Sequence, residues 1–176
     1  MELMKKEGQE FDGIMRYLSK ESGGNIHDNG TVEITTNSIY NNNTNSYHPK
    51  QLVDYNNDNR YDSDNVSGVF VCFDFKKNRI QLSSYSIKSY SGGQNGAHLR
   101  NWVIEVSNDG NTWTEIDCHS NDSTLNHENA IGTFKISKES NDFYRFVRLR
   151  QTGYSWSNNY YIYLCFIEFY GKLQLI

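Results

Sequence analysis

The chain has 176 residues, 36% of them hydrophobic and 14% aromatic, and a formal net charge of −4. That length suits one domain able to bury a sizeable core, and the wealth of Tyr (13) and Phe (9) favours strands over helices. Basic residues are scattered apart from Lys5-Lys6 and Lys76-Lys77-Asn78-Arg79, which argues against a nucleic-acid binder, and no apolar run approaches the ~20 residues of a membrane span.

Residues 1–7, Met-Glu-Leu-Met-Lys-Lys-Glu, lack the apolar stretch of a signal peptide, so a cytoplasmic protein is expected. Phe11, Ile14, Met15 and Leu18 then recur at helical spacing and Gly23-Gly24 follows as a stop, which predicts an amphipathic helix over Gln9 to Glu21. Its apolar face would either cap the open end of a sandwich or dock a partner. From residue 31 the pattern changes to short β-rich runs between clusters of Asn, Asp, Ser and Gly, and no second helix is evident. Eight strands are predicted: Thr31 to Ile39, Val69 to Phe75, Ile80 to Tyr90, Trp102 to Ser107, Trp113 to Asp117, Ile131 to Ser137, Phe143 to Gln151 and Tyr160 to Gly171. Val69, Val71, Phe73 and Phe75 share one face by period-two alternation. Asn41 to Ser46 and Asn56 to Asn59 read as exposed polar loops. Asn108-Asp109-Gly110 offers the positive-φ residues of a tight hairpin, which Trp113 would close against the core. Trp102, aligned with Ile104 and Val106, is read as core too.

Cys72, Cys118 and Cys165 have no C-x-x-C spacing, and the first and last lie among strand residues, so buried reduced thiols are expected rather than a disulfide. His27, His48, His98, His119 and His127 lack the spacing of a zinc site. No Gly-x-Ser-x-Gly or comparable catalytic motif occurs. A binding domain, not an enzyme, is therefore expected.

Several segments in order carry a family resemblance. Leu52-Val53-Asp54-Tyr55-Asn56-Asn57-Asp58-Asn59-Arg60-Tyr61-Asp62-Ser63 resembles an Ala-Val-Asp-Gly-Asn-x-x-Thr-x-Trp-x-Ser stretch. It is followed by Val69 to Phe75 with its Asp74, by Ile80 to Tyr90, by the Ser107 to Trp113 hairpin, by Tyr144 to Leu149 and by Ile167 to Gly171. Over residues 25–173 the chain resembles the discoidin domain, also called the coagulation factor 5/8 type C domain, a galactose-binding-like family. The resemblance implies an all-β, eight-stranded antiparallel jelly-roll β-sandwich at 25–176; the helix read from periodicity then makes residues 1–24 a helical extension before it. The resemblance also implies a non-catalytic module that binds through loops at one end, here 40–50, 90–100 and 153–160, with 54–61 beside them.

A sugar presents an apolar C–H face and a rim of hydroxyls, so its site needs an exposed aromatic ring and polar donors and acceptors. Tyr47, His48, Arg60, His98, Arg100, Tyr154 and Trp156 supply these in the expected loops, Trp156 being the sharpest candidate because its surroundings are otherwise polar. Tyr61 is read as a ring packed beneath its loop. The polar loops Asn41 to Ser46 and Ser91 to Gly96 would gain nothing from lipid, so membrane insertion is not expected. Sugar-binding relatives often hold a structural calcium at the Asp-Gly-Asn-x-x-Thr turn. Here Asp54 and Asn56 match, Asn59 stands at the Thr position, Tyr55 replaces the Gly, and Phe166 replaces a glutamate near the last strand, which weakens the oxygen-rich set a hard cation needs. The leading expectation is binding of a galactose-type glycan. The alternative is an intracellular protein-interaction module of an adaptor or ubiquitin-ligase-type protein.

Overall fold

The computed structural model describes residues 1–176 and arranges them as β1 (Glu2–Leu3), α1 (Ile14–Ser22), β2 (Glu33–Thr36), α2 (Thr44–Tyr47), β3 (Tyr61–Asp62), β4 (Phe70–Asp74), β5 (Arg79–Ser89), β6 (Trp102–Ser107), β7 (Thr114–His119), β8 (Ile131–Lys135), β9 (Phe146–Gln151) and β10 (Tyr163–Gln174). Two antiparallel sheets face each other. One has the order β1-β10-β5-β8, with β3 also paired to β10, and the other the order β2-β4-β9-β6-β7. All eight predicted strands form; β1 and β3 are two-residue additions.

Alternation decides which side of each strand is buried. Val69, Val71, Phe73 and Phe75 are buried to 1% exposure or less, and Phe73 meets Phe169 of the opposing sheet edge-on at 5.1 Å. Trp102 is fully buried and donates its indole N–H to the Tyr85 hydroxyl at 2.9 Å. β10 is buried along both faces from Leu164 to Gly171, because the N-terminal segment packs over its outer side. Gly171 interrupts its pairing with β5 at φ +144, where a Cβ would run into the Gln81 carbonyl.

The first helix begins later than its periodicity suggests. Gly13 stands at the N-cap without a side chain to cap with, and the Glu168 carboxylate of β10 does that work, accepting from Met15 N at 2.8 Å and Arg16 N at 3.0 Å. A Cβ on Gly13 would strike the Phe169 carbonyl, so glycine permits the close approach. Phe11 is thereby left outside the helix, between Tyr55 (5.6 Å) and Phe166 (5.4 Å). Ile14, Met15 and Leu18 are at most 3% exposed and belong to the same cluster as the sandwich core. The apolar face is therefore not available to a partner, and the boundary expected at residues 24 and 25 marks no break in the core. Pairing of β1 with β10, and the Met1 amine donating to the Leu173 carbonyl at 3.0 Å, tie down the first residues as well.

Two more expectations are corrected. A second helical turn does exist at Thr44–Tyr47, capped by the Asn43 side chain, which accepts from Ser46 N. Trp113 closes its hairpin on the outer side of the sheet, not in the core: the Arg148 guanidinium lies 4.0 Å above its ring. The hairpin itself is as read, with Gly110 at φ +75 and Asp109 accepting from Ser107 Oγ, Asn111 N and Thr112 N, which hold its carboxyl well below the usual range. The three cysteines are free, Cys72 and Cys165 buried and Cys118 exposed.

Candidate functional site

The loops at the Tyr163 end of β10 gather two clusters joined by a buried histidine. In the first, Arg60 precedes β3, and its Nε reaches the Asp62 carboxylate at 2.8 Å. Asp62 is 2% exposed, and burial raises its pKa despite the partly offsetting Arg60. Burial alone would lower the Arg60 pKa, but the Asp62 hydrogen bond and charge outweigh it and hold the guanidinium above its ordinary value. The guanidinium carbon lies 5.4 Å from the Tyr90 ring centre and 5.2 Å from that of Tyr163, so two ring faces fix its plane. Its side chain is still 34% exposed. Beyond it Tyr163 stacks towards Tyr161 (5.3 Å), Tyr161 towards Tyr40 (6.4 Å), and Tyr40 against Tyr47 (5.6 Å). A concavity of about 370 Å³ opens between Asn45, Ser46, Tyr47, Asp58, Asn59 and Arg60.

In the second cluster Trp156 is half-buried, donates its indole N–H to the Asp122 carbonyl at 3.1 Å, and carries the Arg100 guanidinium 4.5 Å above its ring. Arg100 in turn donates to Asn121 at 2.8 Å. One face of the tryptophan is thus already occupied, and its polar handle is used. Tyr154 is 49% exposed and rests 4.6 Å from Tyr160.

His98 links the two clusters from below. It packs 4.7 Å from Tyr90, its carbonyl accepts from Trp156 N, and its Nε2 lies 2.9 Å from the Gly92 and Gly93 carbonyls. It is fully buried, so the expectation that it touches ligand is corrected: it shapes the 90–100 loop. His48 is also turned from the Arg60 concavity. Its Nδ1 accepts from Lys50 N, its ring lies 4.7 Å from His27, and burial, then His27 and Lys50, lower its pKa. Tyr61 is fully buried beneath its loop, with its hydroxyl on the Ser38 carbonyl.

Of the candidates, Tyr47 and Arg60 share one concavity, Arg100 and Trp156 stack on each other, and Tyr154 packs on Tyr160 instead. Sequence reasoning missed Tyr40, Tyr90, Tyr161, Tyr163 and the loop bearing Asn121 and Asp122. The run Tyr160-Tyr161-Ile162-Tyr163 was the available signal, since alternation puts Tyr161 and Tyr163 on one side and buries Ile162 between them.

The residues of the calcium turn do not suit a divalent cation. The Asp54 carboxylate is taken by the Asn57 amide, Asn56 Oδ1 faces the Arg16 guanidinium at 3.5 Å, and Asn59 enters only through its backbone N–H, which donates to Asn57. A cation is already supplied by Arg16, which lies over Tyr55 at 5.8 Å, and no three His, Cys, Asp or Glu residues assemble as ligands anywhere. A further concavity of about 400 Å³, beside Glu2, Gln81, Glu139 and Lys172, lies at the other end of β10 and has no aromatic wall. No helix is long and apolar enough to cross a membrane.

Comparison with known proteins shows what the fold resembles. The F5/8 type C domain of a Bacteroides fragilis protein superposes with a TM-score of 0.65 at 16% identity, over 83% of this chain and 94% of that one. CpGH89CBM32-5 of Clostridium perfringens, solved with GalNAc-β-1,3-galactose, gives 0.61 at 15% identity over 80% and 96%. The Drosophila melanogaster E3 ubiquitin-protein ligase Ufd4 is 31% identical over 94 residues, which are 52% of this chain and 3% of that protein's length. The model of the F5/8 type C domain matches residues 17–166, and the chain belongs to that family.

Proposed function

We propose that the chain is a non-catalytic glycan-binding module, of galactose-type preference, whose primary site is the concavity at Arg60. The observation that carries this is the guanidinium held by Asp62, framed by Tyr90 and Tyr163, and left one-third exposed beside the Tyr47 ring and the polar groups of Asn45, Asp58 and Asn59. Such a site offers a preset donor fork to vicinal hydroxyls and an aromatic edge to a C–H face. A similar fold, CpGH89CBM32-5, was solved with a galactose-containing disaccharide. The Trp156 and Arg100 pair forms a rim. A shallow site of this kind binds at roughly millimolar strength, about −4 kcal/mol, and it works without calcium.

The test is an NMR titration of backbone amides with galactose and N-acetylgalactosamine. Shifts are expected around Tyr47, Asn59 and Arg60, with affinity lowered about tenfold or more in Arg60→Ala and unchanged by a chelator. Absence of binding across a glycan array would end this reading.

A second reading has its own observation. On the outer face of the second sheet Arg148 is sandwiched between Trp113 (4.0 Å) and Phe70 (5.2 Å) and pinned by Glu105 at 2.7 Å, an Arg and aromatic array typical of protein hot spots. Together with the chain's similarity to a ubiquitin-protein ligase, this array supports an intracellular interaction module. Under this reading Trp113→Ala abolishes a defined protein partner's binding by more than tenfold and leaves the sugar titration unmoved; a partner held equally well by the variant would exclude this face.

A further inference from the structure

Arg60 and Asp58 line two concavities, not one. Past them, over the outer face of β5 and β10, a second hollow of about 560 Å³ continues between Lys88, Ser91, Asn129, Cys165 and Phe166. Both volumes fall in the range of about 300–1,000 Å³ occupied by small-molecule sites. We propose that the two hollows form a single cleft with two subsites, so that the domain reads a disaccharide or longer glycan, its second unit lying against Lys88. This rests on the glycan reading of the Arg60 concavity.

The second hollow has the chemistry of a polar, hydroxyl-rich occupant. Lys88 makes no ion pair, and its ammonium sits 5.1 Å over the Phe166 ring, which is directly opposite it in the β5 and β10 ladder. The ring supports the cation and leaves its N–H donors to the cleft. Arg60 uses only its Nε on Asp62, so its remaining donors face the passage between the hollows. Asn129 is held at φ +49 with its N–H on the Tyr90 carbonyl at 2.9 Å, which fixes the rim, and its amide and the Ser91 hydroxyl are exposed. Asp58, exposed and unpaired, adds an acceptor at the junction. Burial pushes the Cys165 thiol up, so the floor is neutral. Because Phe166 is covered by Lys88, the second unit is held by hydrogen bonds and not by stacking, and its gain is modest.

The test compares monosaccharides with their disaccharides by NMR titration: galactose against lactose, and N-acetylglucosamine against diacetylchitobiose. At least one disaccharide should bind about fivefold tighter than its parent. Lys88→Ala and Asn129→Gly should each reduce that advantage while leaving monosaccharide affinity unchanged. Lys88 is a surface residue, and glycine preserves the backbone angle at 129. If monosaccharides bind and disaccharides bind no tighter, the cleft has one subsite; if the advantage survives in both variants, the second unit does not lie against Lys88; in either case this proposal falls and the glycan reading stands. If nothing in the panel binds, both fall.

Discussion

Replacing Glu168 by alanine is expected to destabilise the fold by about 3–5 kcal/mol, read as a lowered urea midpoint at constant m-value. Glu168 is fully buried, and its two oxygens accept from Met15 N, Arg16 N and Phe169 N at 2.8–3.0 Å. Alanine would leave those donors buried without acceptors and free α1 from the sheet. Burial raises the carboxyl pKa from 4.5 to about 7, against the opposing pull of the backbone N–H groups. Since the folded value is above the unfolded one, the stability contributed by the neutral acid is complete below pH 4.5 and is lost as pH rises through about 7. Glu168→Gln keeps an acceptor and does not ionise, so it should cost less and flatten the decline between pH 4.5 and 6.5, where the contribution of His119 is still full. A decline below pH 6.5 that is undiminished in the glutamine variant would mean that another group causes it.

An effect of similar size is expected at Asp117, which is 2% exposed. Its Oδ2 accepts from the Tyr85 hydroxyl at 2.7 Å and meets His119 Nε2 at 2.9 Å, while His119 Nδ1 meets Asp122 at 2.8 Å. Asp117→Leu would leave the buried Tyr85 hydroxyl proton without an acceptor and His119 with one carboxylate, at a cost of about 3–5 kcal/mol. Burial lowers the His119 pKa, but Asp117 and Asp122 together overcome it and raise it above 6.5. Burial raises Asp117, and His119, Tyr85 and Ser137 overcome that and lower it below 3.8. The histidine's contribution is therefore full below pH 6.5 and lost as pH rises through its folded value; that of the aspartate is present above pH 3.8 and lost as pH falls through its folded value. A His119 imidazole that titrates at or below 6.5 by NMR would contradict this account. Because the Asp122 carbonyl also holds the Trp156 indole, Trp fluorescence should follow the same titration.

The strands were legible because each is specified by its own residues: alternation such as Val69, Val71, Phe73 and Phe75 needs no knowledge of what lies opposite. What was not legible depends on partners far along the chain. The first turn of α1 is set by a carboxylate 153 residues away, so the spacing of Phe11 with Ile14 placed the helix start too early. Trp113 looked like a core ring, yet Arg148 gives it a berth on the outer face. His98 resembled a ligand donor because a polar loop surrounds it in sequence, whereas the loop folds its own glycine carbonyls onto the ring. Arg60 and Tyr47 were singled out by residue type within the loops that the family resemblance pointed to, and the structure sets them side by side. Of the tyrosines around them, Tyr163 opens β10 and Tyr161 lies just before it, outside the expected loops, while Tyr40 and Tyr90 stand at the first positions of two of those loops and were taken only as their bounds.

Strand β10 also sets where the molecule can be held. Its first residue, Tyr163, belongs to the tyrosine array beside Arg60, while its far end pairs with β1 and meets the Met1 amine. Twelve residues of strand span roughly 35–40 Å, so both chain ends emerge together, a full sandwich length from the loops. Anchoring by either terminus to a sensor surface or a multimeric scaffold would leave every copy's loops facing outward, and weak contacts could then add up through avidity.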